Sequence, residues 1–314
     1  MRKILISIFS LVMLSACLFS GNAFAEEKDS TDFQIRPTSN AFTLVEGNTM
    51  AYSLAISNTG DHPLTYKLYS KPYSVESTDG IYTPIFDDVN NTHAQMYRWI
   101  TFQTPNGDFA STTTYTIGPG ESQTIPYRIN IPEGIPAGGQ YSAIFAQTIP
   151  DADVSNTGVK TISRVTLLLY GHGAGDTIET ADITEFKLTG MLTSGNISGS
   201  AKVVNGGNTD FDAECEFTVK GIFGKVYYTA GYTYPILPET EYRAVSEWPE
   251  TPAFGIFNVH FRVKALDHEM EKTRIVIVMP VFMMIIMLLL LTAIVIWIII
   301  LIRKRKEHNS RLVI

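Results

Sequence analysis

Side-chain oxygens recur on alternate residues at Asp151, Asp153 and Ser155, with Gly158 beyond them, which is the opening of a calcium-binding loop. The pattern stops there: the sixth loop position lacks its glycine, and the twelfth is Ile162 where a bidentate carboxylate is needed. His172-Gly173-Ala174-Gly175 has the outline of an oxyanion-hole loop, yet no G-x-S-x-G nucleophile turn occurs in the chain, so it reads as an interdomain turn. Asp87-Asp88 and the pair Glu239 and Glu241 offer carboxylates with no adjoining base or nucleophile. Six histidines show no paired metal spacing, and no cofactor fingerprint is present. A catalytic role is therefore not expected, and recognition surfaces are. The candidates are Tyr97, Arg98 and Trp99, two large rings around a cation, and Tyr228, Tyr232 and Tyr234, tyrosines at even spacing. For each group the competing reading is core packing, above all for Trp99.

These residues must be held by strands. Apolar and polar residues alternate through Thr49–Ser57 and again through Leu64–Ser70, with the turn Asn58-Thr59-Gly60-Asp61 between them. Further strands are expected at 81–86, 100–103, 112–117, 123–131, 140–148 and 161–170, and a short helix within 87–99. A second set falls at 183–189, 195–205, 212–220, 225–234, 241–245 and 255–264. Many short strands with no long amphipathic helix predict an all-β protein of two immunoglobulin-like β-sandwich domains, residues 33–173 and 178–266. Cys215 sits in an alternating segment and should be a small buried hydrophobe.

Charge fixes the rest. Residues 275–302 carry none, long enough as a helix to cross roughly 30 Å of hydrocarbon, with either a kink or a start at Pro280. Arg303-Lys304-Arg305-Lys306 follows and favours the cytoplasmic side. The predicted order is a signal peptide (1–25), a flexible leader (26–32), the two sandwiches, a polar stalk (267–274), a transmembrane helix (275–302) and a basic cytoplasmic tail (303–314). Signal cleavage is expected after Ala25, within Ala23-Phe24-Ala25; Leu14-Ser15-Ala16-Cys17 offers an alternative, lipidation of Cys17. Of the 24 Lys and Arg and 31 Asp and Glu, seven cations and one Glu lie in the signal peptide and tail, so the exterior part is strongly acidic and a poor nucleic-acid binder.

Three stretches resemble the WxL-interacting proteins of bacterial surfaces. They are Phe33-Gln34-Ile35-Arg36-Pro37, Leu54-Ala55-Ile56-Ser57-Asn58-Thr59, and Ile129-Asn130-Ile131-Pro132 with Pro136-Ala137-Gly138-Gly139-Gln140-Tyr141. The resemblance implies a first domain that meets peptidoglycan and a second that meets a partner or host protein. The expected function is a single-pass cell-membrane protein presenting its domains outside to cell-wall polysaccharide, peptidoglycan or a surface protein. The alternative is a chaperone-like or scaffold subunit for surface-polymer assembly that captures a partner by a strand edge.

Overall fold

The computed structural model describes residues 33–150 and 162–311. The first half forms β1 (Phe33–Arg36), β2 (Ser39–Thr43), β3 (Thr49–Asn58), β4 (Leu64–Pro72), β5 (Ser74–Thr78), β6 (Ile81–Ile85), β7 (Ile100–Gln103), β8 (Phe109–Ala110), β9 (Thr112–Ile117), β10 (Ser122–Asn130), β11 (Gly138–Thr148) and β12 (Arg164–Ala174). The second half forms β13 (Ala181–Leu188), β14 (Met191–Leu192), β15 (Ile197–Asn205), β16 (Phe211–Gly221), β17 (Val226–Ile236), β18 (Glu241–Trp248), β19 (Gly255–Ala265) and β20 (His268–Val278), followed by α1 (Val281–Arg311). The protein is all-β, two immunoglobulin-type sandwiches with one C-terminal apolar helix.

In the first sandwich two five-stranded sheets face each other, ordered β1-β3-β10-β7-β8 and β2-β12-β11-β4-β9. Period-two alternation sends Leu54, Ile56, Leu68, Ile125, Tyr127, Ile144 and Leu167 into one core. β11 is buried on both faces, because its outer side chains, Tyr141, Ala143 and Phe145, meet Tyr73, Tyr170 and Leu237 in a second cluster. Leu237 belongs to the other domain, so covering β11 is what draws the two sandwiches together.

The second sandwich is lopsided. A three-stranded sheet, β13-β15-β18, faces a five-stranded one, β14-β20-β19-β16-β17. Its core contains Ile197, Val203, Phe217, Val219, Phe261 and Val263, with Cys215 only 2% exposed among them. Each domain stabilises a turn with a buried asparagine. Asn58 accepts from Gly60 N–H and donates to the His62 and Gly118 carbonyls; Asn205 accepts from Gly207 N–H and donates to those of Thr209 and Ile236.

Several expectations are corrected. Residues 267–274 are not a stalk: β20 runs from His268 to Val278 and pairs with the whole of β19, so the second sandwich reaches well past residue 266. Residues 275–278 are strand, not helix; Val276 and Val278 point inward while Ile275 and Ile277 point out. The helix begins after Pro280, whose carbonyl accepts from Met283 and Met284 N–H, because proline fits the first turn and lacks the N–H a strand would need. Its apolar span is Val281–Arg303, 23 residues with no side-chain burial inside the protein. The expected helix within 87–99 is two 3-10 turns, Thr92–Ala94 and Met96–Trp99. Gly171–Ala174 is not an interdomain turn; β12 continues to Ala174, paired with β11 and β2, and the chain bends only from Gly175. The signal peptide with Ala25 and Cys17, the leader, and the calcium candidates Asp151, Asp153 and Ser155 lie outside the described residues.

Candidate partner-binding site

The two aromatic groups sit on different sandwiches. Met96–Trp99 forms a 3-10 turn beside β4, where the Tyr97 carbonyl accepts from Ser70 Oγ at 2.7 Å. Trp99 is half-buried and packs against the first core. Arg98 remains exposed, its Nε donating to Tyr97 OH at 3.0 Å and its guanidinium lying 5.4 Å from the Tyr97 ring centre.

Tyr228, Tyr232 and Tyr234 lie on the inner face of β17, half-buried against the second core. β17 is the outer strand of the five-stranded sheet and faces β18, the outer strand of the three-stranded sheet opposite. Its inward tyrosines are half-buried against β18, each keeping part of its ring exposed. Tyr232 OH donates to Ser246 Oγ at 2.5 Å and to the Val245 carbonyl at 3.3 Å, and the Tyr234 and Tyr242 rings lie 4.5 Å apart. Burial pushes the Tyr232 phenol up from its ordinary value. The outward residues Thr229, Gly231 and Thr233 are exposed.

β17 also lacks what usually protects an edge. Its eleven residues, Val226-Tyr227-Tyr228-Thr229-Ala230-Gly231-Tyr232-Thr233-Tyr234-Pro235-Ile236, hold no charge, and the one proline stands next to last. The opposite flank of the same sheet is different. β20 meets the two-residue β14 only at Ile277 and Val278, and its free length carries Glu269, Glu271, Lys272 and Arg274. Glu269 there accepts from Arg262 Nε at 2.6 Å. One edge of the sheet is guarded and the other is open.

Behind this edge the two domains are locked by a polar seam. Asp210 Oδ1 accepts from Tyr141 OH at 2.8 Å and from His172 Nε2 at 2.8 Å, and Asp210 N–H returns a bond to Tyr141 OH at 2.8 Å. The bond to Asp210 raises the His172 pKa above its ordinary value, against an opposing effect of burial; burial and the neighbouring Asp210 carboxylate push the Tyr141 phenol up. Gly139 N–H donates to the Asn208 carbonyl at 2.8 Å, an approach only glycine permits. A Cβ on Gly138, at φ +98°, would stand 2.1 Å from that same oxygen. A second seam comes from the β5–β6 hairpin, a separate two-stranded sheet that leaves the first sandwich and lies against β18. Arg243 N–H and Nε donate to the Gly80 and Asp79 carbonyls, Ser77 Oγ donates to the Glu241 carbonyl, and Tyr82 OH accepts from Leu237 N–H. The hairpin covers one edge of the second domain and leaves β17 alone.

The carboxylate pairs do not converge on chemistry. Glu241 joins Lys202 at 3.3 Å, with Glu185 and Arg243 completing a surface network, and Glu239 occupies a turn at φ +58°. Asp88 accepts from Ser74 Oγ at 3.4 Å. Among the described residues no three His, Cys, Asp or Glu side chains gather as a metal site. Asp210, Asn208 and the Asp79-Gly80 tip were not singled out from sequence. The Asp-Gly pair signals a hairpin turn, but nothing local says that the hairpin docks elsewhere.

No family model matches the chain, and no curated protein matches it. Among solved structures it is similar to a chaperone–tip adhesin complex of CFA/I fimbriae biogenesis, at 11% identity over 77% of this chain and 98% of the other, with a TM-score of 0.38. It is similar to the class 5 fimbriae chaperone CfaA, at 11% over 77% and 98%, TM-score 0.37. It is also similar to the E. coli chaperone DraB, at 15% over 77% and 96%, TM-score 0.35. Scores this low leave the functional reading to the chain's own geometry.

Proposed function

We propose that this chain is a membrane-anchored binding protein that acts without turnover, holding an extended segment of a surface-protein partner along β17. The observation that carries the reading is the strand itself, eleven uncharged residues at a sheet edge with half-covered tyrosines on its inner face. An added strand would satisfy the outward N–H and C=O groups of β17, and its alternate side chains would complete the cover over Tyr228, Tyr232 and Tyr234. The rigid seam gives such a partner a fixed platform. α1 supplies the anchor, with the sandwiches outside and the basic segment after Ile302 in the cytoplasm. This is the chaperone-like or scaffold role, with strand-edge capture as its mechanism.

The test compares two edges. Thr229→Lys with Thr233→Lys places two cations on the open strand, as natural edges do. Thr114→Lys with Thr116→Lys does the same on β9, an outer strand of the first domain. Partners crosslinked to the full chain on intact cells should be lost with the first pair and kept with the second. Equal retention by both variants sinks strand capture. Sedimentation with purified peptidoglycan that the β17 pair leaves unchanged would instead favour the wall-binding role implied by the resemblance to WxL-interacting proteins.

A further inference from the structure

The end of the second domain nearest α1 is apolar where exposed turns are ordinarily polar. Phe223, in the β16–β17 turn, is 94% exposed, Ile222 beside it 62%, and Phe254, in the loop before β19, 66%. With Tyr227, Pro252 and Ile256 they line one open groove, so the two loops form a single patch. Strand register puts the patch beside the helix. Gly221 pairs with Phe257, Phe257 with Val276, and Gly255 with Val278. Both loops therefore stand level with the last residues of β20, and only Met279 and Pro280 separate that strand from α1. Three residues of chain reach at most about 10 Å, and two strand spacings place the β16–β17 turn about 10 Å to the side.

Membrane dimensions complete the argument. The apolar span of 23 residues is about 34 Å long, against a hydrocarbon layer of roughly 30 Å. Its first turn thus lies near the outer hydrocarbon boundary, and the loops next to it fall at head-group depth. Exposed Ile275, Ile277 and Met191 continue the apolar surface from the loops toward Pro280. Lys220 and Lys225 flank the patch, with Lys225 Nζ 5.2 Å from the Tyr227 ring centre; Glu250 is the one carboxylate in the 249–254 loop. Aromatic rings with neighbouring cations are the composition of an interfacial belt.

We infer that the Ile222-Phe223 turn and the Phe254 loop dip into the outer leaflet of the bilayer, giving the second domain a second membrane contact beside its helix. The inference rests on the reading that α1 spans the membrane. Two points of attachment stop the domain from swivelling about Met279-Pro280. β17, which begins at Val226 next to the patch, then points away from the membrane and presents its open edge at a fixed angle.

The test uses the full chain with Cys17→Ala, reconstituted into phosphatidylcholine–phosphatidylglycerol vesicles, with a nitroxide on single cysteines; buried Cys215 stays unlabelled. Labels go on Phe223→Cys, on Phe254→Cys as the independent second site, on Thr233→Cys farther along β17, and on Leu289→Cys within α1. At 223 and 254, collisions with oxygen should exceed those with a water-soluble nickel chelate, and the order should reverse at 233. Water access at 223 and 254 equal to that at 233, with Leu289 in lipid, overturns the inference and leaves the anchor standing. Water access at Leu289 as well overturns both. Spin–spin broadening at 223 would identify a second copy of the chain as the occupant and likewise overturn it.

Discussion

The two ends of the second sandwich are made from the same alternating strands and finished in opposite ways. At the end facing the first domain, polar groups are paired: Asp210 with Tyr141 and His172, Asn208 with Gly139, Arg243 with the hairpin tip. At the end facing α1, Ile222, Phe223 and Phe254 stand out with no apolar partner over them. The difference shows that alternation builds a core and leaves the ends undecided. Each end takes the chemistry of whatever it abuts. Against protein the buried polar groups must be satisfied, and among the described residues no buried side-chain nitrogen or oxygen lacks a partner.

The comparison breaks most sharply at Gly138. Gly138→Val puts a branched side chain where the Asn208 carbonyl sits, at a φ that strains any residue but glycine, and should cost about 2–4 kcal/mol or undock the domains outright. Limited proteolysis should then cut between the sandwiches while each core stays protected. Uncleaved chain with an unchanged melting profile would mean the seam is not held as described.

The His172–Asp210 pair should give a smaller, pH-dependent effect. Because the folded-state pKa of His172 is raised, its contribution is fully present below the unfolded value of about 6.5 and is lost as pH rises through the folded value. The pair is part-exposed on the histidine side, so solvent weakens it. Thermal midpoints measured across that window should decline toward high pH in the unaltered chain, and the decline should flatten in His172→Asn. A slope that survives the substitution assigns the titration to another group.

The smallest effect on folding belongs to the apolar end. Phe223→Ser touches no core, so unfolding in detergent should shift by no more than about 0.5 kcal/mol. A loss several times larger would show that Phe223 supports the fold and is not simply presented at the surface.

Much of this architecture is legible in the residues. Thr49–Asn58, Gly195–Asn205 and Asp212–Lys220 alternate cleanly because one face of each meets a core and the other meets water. β20 is not legible, for the opposite reason. From His268 to Ile275 its side chains are exposed on both faces, so no periodicity marks it, and only the backbone ladder to β19 makes it a strand. Its inward Val276 and Val278 are hidden inside an apolar run that reads as the start of the membrane helix. Tyr228, Tyr232 and Tyr234 could be found as a row from their spacing, while their half-buried state follows from lying on an outer strand against β18.

Local sequence alone determined the alternating strands, their turns and the apolar helix beyond Pro280, since each depends on neighbours a few residues apart: which positions alternate, where glycine or asparagine bends the chain, how long a run goes without charge. Tertiary structure alone decided that Asp210 meets Tyr141 and His172, that the β5–β6 hairpin covers one edge of the second domain and spares β17, and that the Phe223 turn ends up level with the last residues of β20. Those outcomes depend on pairings between residues up to 164 positions apart, such as Ser77 with Glu241. Such contacts are set by which surfaces remain to be covered once the local elements have formed, and no window of sequence contains both partners.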